Sequence, residues 1–131
     1  IVTNLGGSAS APADACKTPT PAGTVPIPYP NIGMNAQGDT ATLTVKVKVV
    51  NGKVFTKSSK ISMSSGDEAG AAGGVVSGKI KGTVSYTASC FKVRCEGALA
   101  IVQGNATGHN GDAINSVGVQ ASAAQFKVTA M

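Results

Sequence analysis

Residues 40–50 carry the clearest pattern in the chain. Leu43, Val45, Val47 and Val49 alternate with Thr42, Thr44, Lys46 and Lys48, the two-residue period of a strand with one face buried. Asn51-Gly52 follows as a hairpin signal, and residues 53–57 return as the partner strand. In the serine-rich residues 58–65, Ile61 and Met63 are alternating apolar anchors. Residues 75–86 predict a second strand pair or one long bent strand, with Gly82 marking a bulge or a close approach. Residues 90–95 predict a further strand ended by Glu96-Gly97, with a return over residues 99–102. Residues 117–119 and 125–130 predict the last strands, after a loop over 104–112 that holds the single histidine, His109. No stretch has a sustained helical period, so the predicted class is all-β, with at most one short helical turn.

Two stretches break the alternation. Residues 64–78 are too rich in glycine for a stable helix and too poor in side chains for a good strand. They predict a tightly turned crossing between two β lobes, its glycines serving positive φ or the close approach of another backbone. Residues 16–31 hold Pro19, Pro21, Pro26, Pro28 and Pro30. Each proline fixes its own φ and pushes its predecessor to extended angles, which predicts a stiff polyproline-like strap that needs no sheet ladder. Its Val25, Ile27 and Tyr29 alternate, so one side can lie on a core. Residues 1–15 are small and polar and predict an extended arm with one short strand at most.

Composition sharpens the fold and narrows the function. A chain of 131 residues reads as a single domain, 1–131, with one modest core. With 4% aromatics and no tryptophan, that core must be closely spaced Val, Ile, Ala and Leu. The net charge is +5, but the lysines are scattered along the predicted strands without a basic run or an aromatic platform, which disfavours nucleic acid as a partner. No run of apolar residues is long enough to span a membrane, and the first residues lack the pattern of a signal peptide.

The strand patterns echo one another. Val47-Lys48-Val49-Val50-Asn51-Gly52-Lys53 matches Phe91-Lys92-Val93-Arg94-Cys95-Glu96-Gly97-Ala98 if one residue is inserted, and Phe126-Lys127-Val128 begins the same pattern again. Three similar strands in one chain suggest a pseudo-threefold body.

The strap and the glycine loop carry a resemblance. Cys16-Lys17-Thr18-Pro19, then Val25-Pro26-Ile27-Pro28-Tyr29-Pro30-Asn31-Ile32, then Ser65-Gly66-Asp67-Glu68-Ala69-Gly70 and Gly73-Gly74-Val75-Val76-Ser77-Gly78 together resemble the toxin-associated PAAR-like family; Gln125-Phe126-Lys127-Val128 fits as well. The resemblance spans roughly residues 14–128. It implies a small, compact β-rich cone that caps and sharpens the trimeric VgrG-type spike of a type VI secretion or related contractile injection system. It implies one copy per spike trimer, assembly in the bacterial cytoplasm and injection with the spike. An alternative is a targeting domain that binds an effector or adaptor. A pseudo-threefold monomer suits a threefold spike, where an isologous dimer does not.

Cys16, Cys90, Cys95 and His109 are the only thiols and the only imidazole, and three Cys with one His complete a tetrahedral zinc set. PAAR tips of the wider family are similar in holding zinc near the apex, with mainly histidines and a cysteine. The other readings of the thiols are a Cys90–Cys95 disulfide or three independent buried thiols. Cys90 and Cys95 are an odd number of residues apart, so joint ligation requires a bulge or strand end near Cys95. Asp67 and Glu68 read as caps on glycine-loop amides and lysine partners rather than a catalytic pair. No serine sits in a nucleophile elbow, and residues 66–70 lack the Lys-Ser/Thr of a phosphate loop. A non-enzymatic protein is the leading expectation, and a small metal-dependent hydrolase using Glu68 and His109 is the reading from another class.

Overall fold

The computed structural model describes residues 1–130. It is all-β, with a single 3-10 turn at Asn35–Gln37. The longest elements are β1 (Gly7–Thr20) and β2 (Gly23–Met34), paired antiparallel from Ser8↔Met34 to Thr20↔Gly23. The expected arm (1–15) thus supplies the first part of β1, and the expected strap (16–31) is no ladder-free segment: it holds the end of β1, the hairpin turn and most of β2. The prolines permit this because of their spacing. Ile32 donates its N–H outward to Ser65 O at 2.8 Å, and Pro26, Pro28 and Pro30 share its parity along β2. Their missing donors thus lie on the edge turned away from β1, where a ladder bond is not needed.

β1 also pairs with β10 (Ser116–Ala123), β10 with β9 (Ala106–His109), β9 with β6 (Val84–Tyr86), and β6 with β5 (Lys60–Ile61), giving the order β2-β1-β10-β9-β6-β5. The free edge of β5 then meets the chain leaving β2. Asp39 donates its N–H to Lys60 O, Ser62 to Gln37 O, and Ile32 and Ser65 exchange both of their backbone bonds. The six strands form a closed wall, the arrangement that removes open sheet edges. Inside lie Val2, Ala9, Leu43, Phe55, Ile61, Val84, Tyr86 and Ile101, with Phe55 and Tyr86 edge to face at 5.7 Å.

Three backbone segments meet in a triangle. Val2 N–H donates to Ile101 O at 2.9 Å, Ile101 N–H to Phe55 O at 3.0 Å, and Phe55 N–H to Val2 O at 3.0 Å. Each corner is followed, after a two-residue turn, by a wall strand: β1, β5 and β9 begin at Gly7, Lys60 and Ala106, each five residues past its corner (7 − 2, 60 − 55, 106 − 101). Two corners are preceded by matching hairpins, β3 (Lys48–Val49) with β4 (Gly52–Lys53) and β7 (Arg94–Cys95) with β8 (Ala98–Leu99). Their loops, Val50-Asn51 and Glu96-Gly97, have positive φ at both residues, the type I′ geometry that suits strand twist. The repeat is thus real, but its register differs from the one expected. Val45-Lys46-Val47 corresponds to Phe91-Lys92-Val93 with no insertion, because Phe55 and Ile101 set an offset of 46 (101 − 55).

Residues 40–47 are turns and irregular backbone instead of the clearest strand. Their alternation does not define one face: Leu43 enters the main core, Val47 and Val49 pack on a second cluster around Val54, Cys95 and Ala100, and Val45 is exposed. Side chains replace the ladder. Thr44 Oγ1 accepts from Val54 N–H and donates to Val47 O, while the Glu96 carboxylate accepts from the N–H groups of Val45, Lys46 and Val47. Residues 75–83 and 90–93 likewise form no strand, and residues 125–130 hold their place without one.

Candidate functional site

The glycine stretch is not a crossing between lobes. It lies along β1: Lys17 donates its N–H to Gly73 O, Ala72 to Lys17 O, and Val75 to Ala15 O. A Cβ on Gly70 would overlap the Cys16 side chain, so the loop reaches this closeness only because position 70 is glycine. The approach carries Asp67 into the interior beside β1, whose Asp14 and Cys16, two residues apart, present side chains on the same face.

Asp14, Cys16 and Asp67 are buried, and their donor atoms lie within 4.8 Å of one another. The Cys16 thiol donates to Asp67 Oδ2 at 3.8 Å. Amides surround the carboxylates: Asn31 Nδ2 donates to Asp14 at 2.6 Å and to Asp67 at 3.5 Å, Asn115 Nδ2 donates to Asp14, and the Lys81 N–H donates to Asp67 at 3.1 Å. Asn110 Nδ2 donates to Cys16 Sγ at 3.6 Å and to Lys79 O at 2.7 Å. Burial, reinforced by the charges of Asp14 and Asp67, pushes the Cys16 thiol up to about 12. Burial also raises the Asp67 carboxyl, against the pull of the Lys81 amide, and Asp14 adds repulsion. Among the described residues no salt bridge reaches Asp14 or Asp67, and a divalent ion would stabilise the ionised form of this desolvated acidic group.

The donor set fits such an ion. Tetrahedral zinc with one sulfur at ~2.3 Å and one oxygen at ~2.0 Å has an S–O edge of about 3.5 Å, close to the 3.8 Å between Cys16 and Asp67. Asn31 Oδ1 is a further buried oxygen, and it has no hydrogen-bond partner.

The four residues expected to share zinc do not come together. Among the described residues, the one group of three or more close metal-ligating side chains is Asp14, Cys16 and Asp67, of which only Cys16 belongs to the expected set. Cys95 packs with Val54 and Ala100 in the second cluster, and Cys90 donates its N–H to Ala100 O beside it. All three thiols are free and buried, and Cys90 and Cys95 are not joined. His109 lies on β9, fully buried, with Nε2 3.0 Å from Thr107 Oγ1 and Nδ1 unpartnered. Burial lowers it to about 4, with Asp14 pulling the other way. Glu68 takes the expected capping role, accepting from Gly66 N–H at 2.6 Å with Lys81 3.9 Å away, whereas Asp67 is an interior ligand candidate. Asp14 was not among the expected ligands because residues 1–15 read as an extended arm and not as a core strand. The signal available was a lone acid two residues before a cysteine, on one strand face.

A closed all-β wall around a triangle of three like segments, with a polar cluster buried between β1 and a glycine loop, defines a small β domain. The family model described as the toxin PAAR-like domain matches residues 7–118, and the chain belongs to that family, which is associated with the spikes and toxins of secretion systems. The match starts earlier than the resemblance and stops before Gln125. No curated protein and no solved structure matches the chain.

Proposed function

We propose that this protein is the tip of a contractile injection machine, seated on a trimeric VgrG-type spike of a type VI secretion system. It works there as a rigid, non-enzymatic cap that helps the spike puncture a membrane and deliver its effector. The carrying observation is the triangle of Val2, Phe55 and Ile101, by which one chain offers three like sides. A single subunit on a threefold axis needs that property, because each spike subunit must meet an equivalent surface. Family membership supports the secretion context. Assembly takes place in the bacterial cytoplasm, and the protein leaves with the spike.

Zinc is the ion this reading assigns to the buried group, with Asp14, Cys16 and Asp67 as its ligands. Bound there, it supplies charge neutralisation and a clip between segments distant in sequence. Asn31, Asn110 and Asn115 orient the ligands, and the glycine stretch excludes water. The test is co-elution: the chain mixed with the trimeric VgrG-type protein of its own machine should leave a sizing column as one complex. Separate elution at micromolar concentrations of both would overturn the proposal.

A further inference from the structure

The second apolar cluster marks one end of the molecule, and that end is threefold in its side chains as well as its backbone. Val54 and Ala100 stand one residue before their triangle corners and are buried there, and Ile1, in the same position before Val2, packs against them. Ala100 N–H donates to Val93 O at 2.9 Å, and in the third copy the main-chain nitrogen of Ile1 donates to Val128 O at 3.2 Å. Ala100 O accepts from Cys90 N–H and Val54 O from Thr44 N–H; in the third copy Ile1 O accepts from the Gln125 side chain at 2.7 Å. Thr44, Cys90 and Gln125 are thus equivalent, and so are the tripeptides that follow them: Val45-Lys46-Val47, Phe91-Lys92-Val93 and Phe126-Lys127-Val128.

In each tripeptide the first side chain points to solvent. Val45, Phe91 and Phe126 are 68%, 83% and 80% exposed, and the lysine beside each is exposed too. Phe91 and Phe126 are the most exposed large hydrophobic residues among the described ones. Two phenylalanines this exposed add little to the core, which takes Val47 and Val93, the third residues of two tripeptides, and meets the third tripeptide through the Val128 carbonyl. Lys48 and Arg94, again at equivalent positions, add positive charge. The carboxylate of Glu96 at this end is taken up by the amides of Val45, Lys46 and Val47.

We infer that this end is the docking face, with Val45, Phe91 and Phe126 as three apolar anchors and Lys46, Lys92 and Lys127 as their charged rim. The occupant is the blunt end of a homotrimer that presents three equivalent apolar sockets edged by carboxylates. A second copy of this chain would set positive charge against positive charge. The inference rests on the spike-tip reading and deepens it by fixing which end sits on the spike. Exposed aromatic anchors within a charged rim are the usual carriers of interface energy.

The experiment measures affinity for the trimeric VgrG-type protein by surface capture at low and high salt. Phe91→Ser and Phe126→Ser should each weaken binding by about tenfold, Val45→Ser by less, and the triple variant by about a hundredfold or more. Val76→Ser and Val117→Ser, at 65% and 66% exposure outside the three tripeptides, should bind as wild type does. Circular dichroism of each variant should match wild type, because none of the five is buried. A folded triple variant that binds like wild type overturns the docking face and leaves the spike-tip reading standing. So does a triple variant that keeps the spike but loses an effector. A wild-type chain that binds no trimer overturns the reading and this face with it.

Discussion

Two regions of the molecule are built on opposite plans. The region around the second apolar cluster uses a like tripeptide three times, Val-Lys-Val once and Phe-Lys-Val twice, with apolar contacts and a backbone triangle as its frame. The Asp14–Cys16–Asp67 group is made once, from β1 and a glycine loop, with polar groups that have no copies among the described residues. Repetition makes a surface that can meet a symmetric partner. Single use makes a site whose members must each be placed by a different contact. Substitutions in one region should therefore spread across like positions, while those in the other should act through one shared group.

The largest expected effect is at the triangle. Phe55→Ala removes a fully buried ring at one corner and should cost about 3–5 kcal/mol in urea unfolding, with Ile101→Ala at about 2–5 kcal/mol. If the corners differ widely, with one near zero, the threefold frame is not a shared load. The next effect is at the polar group. Protein purified without chelator should carry about one zinc per chain by elemental analysis. With free zinc at about 100 times its Kd, the ion adds ~2.7 kcal/mol, which chelation or Asp67→Asn should remove. Chelation that leaves wild-type stability unchanged counts against the metal.

A third effect depends on pH. His109 titrates at about 4 in the fold against an ordinary 6.5, so the unfolded chain binds its proton first as pH falls. The stabilisation from neutral His109 is fully present above 6.5 and is lost as pH drops toward 4, a total of roughly 3 kcal/mol. Asp67, raised in the fold, contributes with the opposite sign as pH rises, so the measurement is the wild type minus His109→Gln difference between pH 7 and 4. A difference that stays flat over that range contradicts a buried neutral imidazole. The smallest effect is at the rim. Glu96→Gln should speed hydrogen exchange at the amides of Val45, Lys46 and Val47 with little change in melting temperature. Unchanged exchange would remove the carboxylate cap.

The same contrast explains what could be read from residues alone. The all-β class and the threefold echo were legible because they rest on local alternation and on recurrence, both properties of the linear chain. The echo's register was misplaced by two residues because Val-Lys alternation runs through residues 45–49 and offers several equal alignments. Residues 40–47 imitated a strand because their apolar positions serve two clusters and the solvent in turn. The hairpin of β1 and β2 was hidden by its prolines, whose spacing, not their number, decides whether a ladder forms. The candidate ligand group was illegible because it depends on a glycine loop being laid along β1; Cys16 was found by its chemistry, while Asp14 and Asp67 became its neighbours only through that packing.

The central claim is that one chain supplies three like sides to a trimer. Native mass spectrometry of the purified complex with the VgrG-type protein tests it most directly. One copy of this chain per three spike subunits is the predicted result. Three copies per trimer would contradict it, because each spike subunit would then hold a whole molecule and the internal repeat would have no partner to match.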